Sequence, residues 1–272
     1  MSRIEEAMQK KADSDARGRS HTVVQVPSSG GAVPVTQIAR PAPAGVVDEH
    51  IISFHHPRSG LTENFKQIRL VIQNMLPEGD NKLIMFTSSF RGEGKTTASL
   101  NFAAALAHDT SKRVLMVDAD LRQPMVHKLL GMKAHQGFGD LLISDAPIES
   151  VVVNTPVPGL SAVLCGEIPP NPAEVFGGER ARQVFAEFKA KFDSVVVDTP
   201  PVLPVVDTIH MASFADGVVL IVEAAKTSRK KIQRAIQLLN NANASVMGFL
   251  LNKGQAGLSD YRTPRYYSDN GG

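Results

Sequence analysis

The sequence predicts an α/β fold in which a mostly parallel β-sheet is covered by helices on both faces. Apolar runs of strand length alternate with helical patterns along the chain, which is typical of βαβ units. Three of these runs end in polar or charged residues, as strands of a parallel sheet do where they face a ligand. The first run leads into a glycine-rich turn and a lysine, which together indicate a phosphate-binding loop.

Composition restricts the classes of function. The chain has 272 residues, of which 43% are hydrophobic, enough for one substantial core and some unstructured sequence. The net charge is only +2 and both signs are interspersed, so no nucleic acid is expected as a partner. Cys165 is the only cysteine, which excludes an internal disulfide and fits a reducing cytoplasm. No apolar run approaches the ~20 residues of a membrane-spanning helix, so we expect a soluble chain.

The chain divides into three predicted parts. Residues 1–47 show a short helical pattern and then many Pro, Gly, Ser and Ala residues, which predicts a flexible N-terminal extension with or without a docking role. Residues 48–255 form the predicted α/β domain, and residues 256–272 a polar, disordered tail. This tail holds every tyrosine of the protein, namely Tyr261, Tyr266 and Tyr267. Beside an ATP site their hydroxyls would serve as phosphate acceptors, although three tyrosines can also cluster by chance.

A helix is predicted over residues 61–76, because apolar residues recur there at helical spacing. One side of this helix carries three charged residues at intervals of three: Glu63, Lys66 and Arg69. Residues at this spacing share a helix face, where they can pair locally or contact a neighbouring subunit. Taken alone, they favour a solvated charged face.

The predicted phosphate-binding loop follows an apolar strand at residues 83–88. Its candidate nucleotide-binding residues are Ser89, Gly92, Glu93, Gly94, Lys95, Thr96 and Thr97. Ser89 stands where the usual motif has its first glycine, but serine is small and tolerated in turns. Lys95 is expected to reach the β- and γ-phosphates of ATP, and the Thr96 hydroxyl to hold Mg²⁺. The alternative is an ordinary helix N-terminus opened by glycine, against which the flanking strand and apolar helix count.

Carboxylates follow two further predicted strands. Asp118 and Asp120 end the strand that begins near residue 113, and Asp198 ends the strand at residues 194–198. Buried acids are costly unless they face a cation, so Mg-ATP is a physically sensible occupant of this sheet edge. The alternative for the first pair is a cap on the helix that follows. Asn252 ends the last predicted strand and either contacts adenine or forms a turn.

Four separated blocks of sequence carry a family resemblance. They are a Walker A motif at 87–97, a Walker A′ motif at 117–124, a Walker B motif at 192–201 and a Gly-x-x-Pro-Pro-Asn-Pro-x-Glu segment at 166–174. Together they resemble the bacterial tyrosine autokinases (BY-kinases) of capsule and exopolysaccharide synthesis, whose fold is P-loop NTPase-like. The N-terminal region and the lack of spanning helices resemble the branch in which the kinase is a separate soluble chain.

The resemblance implies roles for the site residues. Lys95 and the loop backbone would polarise the phosphates of ATP. Thr96, Asp120 and Asp198 would hold Mg²⁺. Asp118 is the expected base that accepts the proton of the attacking tyrosine. Phosphoryl transfer depends mostly on positioning and charge neutralisation, so Lys95 and Mg²⁺ are expected to matter more than the base.

The resemblance also implies partners. Glu63, Lys66 and Arg69 occupy the positions of a Glu-x-x-Arg-x-x-Arg helix that mediates ring-shaped self-assembly in the family, with a lysine in place of the first arginine. Within such a homo-oligomer, tail tyrosines would be phosphorylated in trans. A separate membrane-spanning activator would hold this cytoplasmic chain at the inner face of the membrane, where it would regulate polysaccharide synthesis or export.

Two other functions fit the same motifs. Cell-division and plasmid-partition ATPases use ATP as a dimerisation switch without phosphorylating protein, but those relatives usually carry a second lysine at the position of Phe90. A nucleotide-bound scaffold with a decayed active site is the other alternative. The intact Lys95 and the three aspartates count against decay, although motifs alone never prove turnover.

Overall fold

The computed structural model describes residues 45–76, 81–109, 112–133 and 136–254. Residues 1–44 and the tail with its three tyrosines lie outside the described residues, so the predicted division into three parts stays a prediction. Within the described part of the chain, no helix has both the length and the hydropathy needed to cross a membrane.

A seven-stranded sheet forms the centre of the described domain. Its strands are β1 (Lys82–Ser88), β2 (Val114–Asp118), β3 (Val152–Asn154), β4 (Leu160–Val163), β5 (Ser194–Asp198), β6 (Gly217–Glu223) and β7 (Val246–Asn252). Their order across the sheet is β3-β4-β2-β5-β1-β6-β7. Every neighbouring pair is parallel except β3 with β4, which confirms the predicted mostly parallel sheet.

Nine α-helices accompany these strands in the described residues. They are α1 (Ile52–His55), α2 (Gly60–Met75), α3 (Lys95–Asp109), α4 (Val126–Leu129), α5 (Phe138–Ile143), α6 (Pro172–Phe176), α7 (Glu179–Lys191), α8 (Asp207–Ala212) and α9 (Arg229–Asn241). Helices α1 to α4 contribute to a core on one face of the sheet, and α5 to α9 to a core on the other. The side chains of β1 alternate between the two cores, as the pleat of a strand requires.

The short strands β3 and β4 were not predicted from sequence. They have 3 and 4 residues, which is too few for a periodic pattern to be recognised. Strand β4 pairs with the edge of β2, and β3 pairs with β4 in antiparallel direction. Their strand conformation therefore depends on tertiary pairing, which local sequence does not report.

Helix α2 confirms the helix predicted over residues 61–76. It begins after Ser59, whose hydroxyl accepts a hydrogen bond from the N–H of Thr62 at 3.2 Å. Glu63 and Lys66 form an ion pair with a 2.8 Å separation, so the lysine is paired on its own helix. Arg69 lies three residues after Lys66 on the same side of the helix.

The sheet order places three functional segments beside one another. Strand β5 lies between β1 and β2, and Asp118 at the end of β2 is directly opposite Asp198 at the end of β5. Phe86 near the end of β1 is opposite Asp198 on the other side. The phosphate loop and the polar ends of β2 and β5 consequently meet at the carboxyl edge of the sheet, where ligands bind in open parallel sheets.

Candidate active site

The phosphate loop connects β1 to α3 through two glycines in the left-handed conformation. Gly92 has a φ of +83° and Gly94 a φ of +87°, values that residues with a side chain rarely adopt. At Gly94 an added Cβ would also lie 2.1 Å from Nδ2 of Asn252. The loop therefore needs glycine here for backbone conformation and for space. Helix α3 begins immediately afterwards, at Lys95, so its N-terminal N–H groups face the loop as an anion site requires.

Lys95 is buried among carboxylates that come from two other strands. Its Nζ lies 2.7 Å from Oδ2 of Asp120 and 3.3 Å from Oδ2 of Asp198. Burial alone would lower the pKa of Lys95, but the charges of Asp198 and Asp120 outweigh burial, and the pKa is raised. The lysine is therefore a fixed positive charge beside the phosphate loop.

The Thr96 hydroxyl and the Asp198 carboxylate form the other half of this cluster. Thr96 donates to Oδ2 of Asp198 at 2.7 Å. Burial raises the pKa of Asp198, and this outweighs the opposing charge of Lys95. Bringing a second cation to Asp198 would stabilise its ionised form.

The donor set fits Mg²⁺. The described residues contain no group of three or more His, Cys, Asp or Glu side chains arranged as a metal cage. Mg²⁺ seldom needs such a cage, because it keeps several waters and is usually bound by one or two carboxylates together with substrate phosphates. Thr96, Asp120 and Asp198 supply oxygen atoms of this kind beside the phosphate loop.

Asp118, at the end of β2, is fully buried. Its Oδ2 accepts a hydrogen bond from the N–H of Val126 at 3.0 Å, and its Oδ1 is buried without a hydrogen-bond partner among the described residues. Burial raises the pKa of Asp118 well above its usual value, and the charge of Asp198 raises it further. The charged form of this carboxylate is poorly compensated, so a proton is held more strongly here than on an exposed aspartate.

A cavity of about 320 Å³ opens over the phosphate loop. It is lined by Arg91, Gly92, Gly94, Lys95, Thr96, Thr97, Asp120, Gln123, Met125, Leu129 and Lys253. Six of these are residues that the sequence motifs predict, and the structure brings them together. The other five were not predicted: Arg91 and Gln123 lie within the motif blocks but were assigned no role, and Met125, Leu129 and Lys253 lie outside these blocks. For Lys253, its place directly after Asn252 was an available signal.

Two residues considered for nucleotide binding hold the loop itself: Glu93, a loop residue, and Asn252, which was predicted either to contact adenine or to form a turn. Glu93 is buried and its Oε2 accepts a hydrogen bond from the N–H of Phe90 at 3.0 Å, while its Oε1 accepts one from the Thr227 hydroxyl. Asn252 donates from Nδ2 to the backbone oxygen of Glu93 at 2.9 Å. Ser89 is buried and its hydroxyl has no partner among the described side chains and backbone.

Comparison with known proteins identifies the family. Residues 81–250 match the family model described as an AAA domain. The tyrosine-protein kinase YwqD of Bacillus subtilis is 32% identical over 206 residues, which are 76% of this chain and 86% of YwqD. The chain belongs to the bacterial tyrosine-protein kinase family. This confirms the resemblance that the four sequence blocks carry.

Other members of this kinase family differ greatly in length. The putative tyrosine-protein kinase EpsB of Ralstonia nicotianae is 34% identical over 204 residues, which are 75% of this chain but only 27% of EpsB. Among solved structures, the chimerical protein CapA2B2 has a TM-score of 0.70 and 27% identity, covering 77% of this chain and 93% of that one. The family fold is therefore present over most of the described residues.

More distant likeness extends to nucleotide-binding proteins of the same fold. The septum site-determining protein MinD of Pyrococcus horikoshii, solved with Mg-ADP, is 22% identical with a TM-score of 0.54. The match covers 62% of this chain and 69% of that one. At this identity the likeness shows the fold alone, and it confirms the P-loop NTPase-like architecture.

Proposed function

We propose that the chain is an ATP- and Mg²⁺-dependent protein-tyrosine autokinase. The observation that carries the proposal is the buried cluster of Lys95, Thr96, Asp120 and Asp198 beside the phosphate loop, in a chain of the tyrosine-protein kinase family. A cation among carboxylates at a helix N-terminus is suited to holding a nucleotide triphosphate with its metal ion.

The cluster residues bind and orient the nucleotide in this proposal. Lys95 contacts the β- and γ-phosphates and neutralises charge as the terminal phosphoryl group leaves ADP. Thr96, Asp120 and Asp198 hold Mg²⁺ directly or through water. When bound, the metal ion supplies further charge neutralisation at the phosphates. The loop backbone from Gly92 to Thr97 surrounds the same anion.

Asp118 is the proposed catalytic base. Its unpartnered Oδ1 accepts the proton of the tyrosine hydroxyl as the phenolic oxygen bonds to the γ-phosphorus and the bond to ADP breaks. The raised pKa of Asp118 favours this transfer, because burial makes the protonated form more stable than that of an exposed aspartate.

The acceptors proposed are the tail tyrosines, Tyr261, Tyr266 and Tyr267, phosphorylated in trans within a ring-like homo-oligomer. Glu63, Lys66 and Arg69 on α2 are proposed to contribute to that assembly, and the local pair between Glu63 and Lys66 would have to be exchanged for contacts across it. A separate membrane-spanning protein is the proposed activator, which would place the cytoplasmic chain at the membrane. The process regulated would be capsule or exopolysaccharide synthesis or export.

Phosphosite mapping tests the proposal. The purified chain is incubated with Mg-ATP and analysed by mass spectrometry, beside Lys95→Met and the exposed-lysine control Lys230→Met. We expect phosphate on the tail tyrosines of the parent and of the Lys230→Met variant. The Lys95→Met variant should carry none. Asp118→Asn should leave trace activity, and undiminished activity of that variant would refute the base assignment.

Nucleotide binding and phosphate release are measured in the same preparation. Steady phosphate release without phosphotyrosine would refute the kinase and support the ATP-driven switch. If neither product forms although ATP binds, the assay is repeated with a membrane fraction that supplies an activator. Absence of phosphotyrosine there as well would refute the proposal.

A further inference from the structure

The phosphate cavity has an apolar wall that nucleotide phosphates and Mg²⁺ do not require. Two residues form it: Met125, which directly precedes α4, and Leu129, the last residue of that helix. Met125 remains 38% exposed, whereas Leu129 is partly buried and packs against the core beneath. Two apolar side chains on one wall of a cavity that is otherwise polar can receive an apolar group of a ligand.

The strand order places this wall at one side of the phosphate loop. Met125 and Leu129 follow β2, whereas Lys253, which lines the same cavity, follows β7. The loop follows β1, which lies between β2 and β7 in the sheet. A nucleoside held near the end of β7, where Asn252 lies, would therefore leave the apolar wall uncovered.

The proposed base is bonded to the segment that carries the wall. The N–H of Val126, the residue after Met125, donates to Oδ2 of Asp118 at 3.0 Å. Asp120 accepts a hydrogen bond through Oδ1 from the N–H of Gln123 at 3.0 Å. Met125 lies between these two anchored residues, so its position is tied to both carboxylates.

We propose that Met125 and Leu129 bind the aromatic ring of the acceptor tyrosine. The inference rests on the proposed kinase function and adds to it the residues that receive the acceptor. A tyrosine ring on this wall would combine apolar contact with a hydroxyl directed toward the polar cluster. Methionine suits this role, since its sulfur makes favourable contacts with aromatic rings and its side chain adapts in shape.

The occupant is the tail sequence of this chain, residues 256–272, which a second copy presents in the proposed function. The described residues end at Gly254, directly after Lys253, which lines the same cavity. Tyr261 is seven residues beyond Gly254, and an extended segment of that length spans at most about 24 Å. The tail of a second copy presents the same sequence, so a peptide added in trans probes the same wall.

Peptide binding to the full-length chain tests this proposal without depending on turnover. The protein carries Tyr261→Ala, Tyr266→Ala and Tyr267→Ala, so that its own tail does not compete. A fluorescein-labelled synthetic peptide of residues 255–272 is titrated with it in Mg-ADP, and fluorescence anisotropy gives the Kd. Calorimetry gives the Kd of ADP for each variant.

Met125→Gln replaces the apolar group by a polar one of similar length. We expect it to raise the peptide Kd by about fivefold or more, and by a larger factor than it changes the Kd of ADP. The conservative variant Met125→Leu should have a peptide Kd within about twofold of the parent's. The matched control changes Ile143, an exposed apolar residue at the end of α5. The Ile143→Gln variant should bind the peptide as the parent does. A peptide with alanine at all three tyrosine positions should lose the dependence on Met125.

Three results would overturn the assignment of the wall to the acceptor ring. They are no saturable peptide binding by the parent, equal peptide binding by Met125→Gln, or equal weakening of peptide and ADP. Failure of the proposed function looks different. If the peptide binds in a Met125-dependent way, but the parent chain with its tyrosines forms no phosphotyrosine even with the membrane fraction, the ring site would be supported and the kinase refuted.

Discussion

The Thr96 hydroxyl donates a 2.7 Å hydrogen bond to Oδ2 of Asp198, although 102 residues separate the two in sequence. Through this bond the start of α3 is joined to the end of β5 at the proposed metal site. We predict that Asp198→Asn weakens the binding of Mg-ADP by about tenfold or more, because a charged metal-site group is lost. Binding of ADP without Mg²⁺ should change much less. Calorimetry with and without Mg²⁺ measures the difference.

The control for that prediction makes the same chemical change at the other end of the strand. Asp193 directly precedes β5 and pairs with Arg113. Asp193→Asn should leave the Mg²⁺ dependence of ADP binding as it is in the parent. Equal losses for both variants, or an Asp198→Asn loss that persists without Mg²⁺, would contradict a metal role for Asp198.

The two loop glycines should respond differently to alanine. Both have positive φ, which costs a residue with a side chain about 1–2 kcal/mol. Only at Gly94 does the added Cβ also meet another atom, Nδ2 of Asn252 at 2.1 Å; at Gly92 it meets open space. We therefore expect Gly94→Ala to reduce ADP affinity more than Gly92→Ala.

A double variant separates strain from the clash. Gly94→Ala combined with Asn252→Ala removes the obstructing side chain, so it should recover part of the ADP affinity relative to Gly94→Ala. Urea denaturation of each variant gives the accompanying free energy of unfolding. If Gly92→Ala proves as damaging as Gly94→Ala, the contact with Asn252 is not what constrains the loop.

An ion pair between Arg122 and Asp207 anchors the segment that follows β2. Arg122 donates two hydrogen bonds, of 2.6 and 3.0 Å, to the fully buried carboxylate of Asp207 at the start of α8. Arg122→Met should lower the free energy of unfolding by about 3 kcal/mol, because it leaves that carboxylate buried and unpaired. Denaturation with urea measures the loss.

Asp207→Asn in the Arg122→Met background removes the uncompensated charge. The double variant should therefore be more stable than Arg122→Met alone. An exposed arginine elsewhere, Arg229→Met, serves as the control and should change stability little. A double variant that is less stable than the single one would show that the pair does not act through charge.

Stability should fall at acidic pH through the pair of Arg113 and Asp193. Burial raises the pKa of Asp193, but hydrogen bonds from Arg113 at 2.7, 3.0 and 3.3 Å lower it more, and the net pKa is lowered. A carboxylate with a lowered pKa in the folded state stabilises the fold above its unfolded pKa, and this contribution is lost as pH falls through the folded value.

The difference in thermal stability between the parent and Asp193→Asn should accordingly be largest at neutral pH. It should shrink below about pH 4, the ordinary range of an aspartate. The pair is partly exposed, so the effect at neutral pH is expected to be about 1 kcal/mol or less. Melting curves from pH 3 to 7 test this, and a difference that grows with acidity would have the wrong sign.

Much of the fold and of the site could be predicted because their signals are local. The strand, glycine turn and lysine of the phosphate loop are consecutive in sequence, and Asp118 and Asp198 each follow a recognisable apolar run. Strands β3 and β4 could not be predicted, since a strand of three or four residues takes its conformation from its neighbours. The same limit applies to Met125 and Lys253, which share a cavity only because their strands lie on opposite sides of β1.

Local sequence was enough to predict the fold class, the phosphate loop and the acids that face it, since hydrophobic period, glycine and terminal charge are properties of short segments. The contacts that these groups make depend on the tertiary structure. It turned Glu93 and Asn252 into supports of the loop and paired Lys66 with Glu63. It also buried Asp118, whose carboxylate accepts a hydrogen bond from the N–H of Val126. Distances between side chains depend on strand order and register, which are set by the packing of the whole domain.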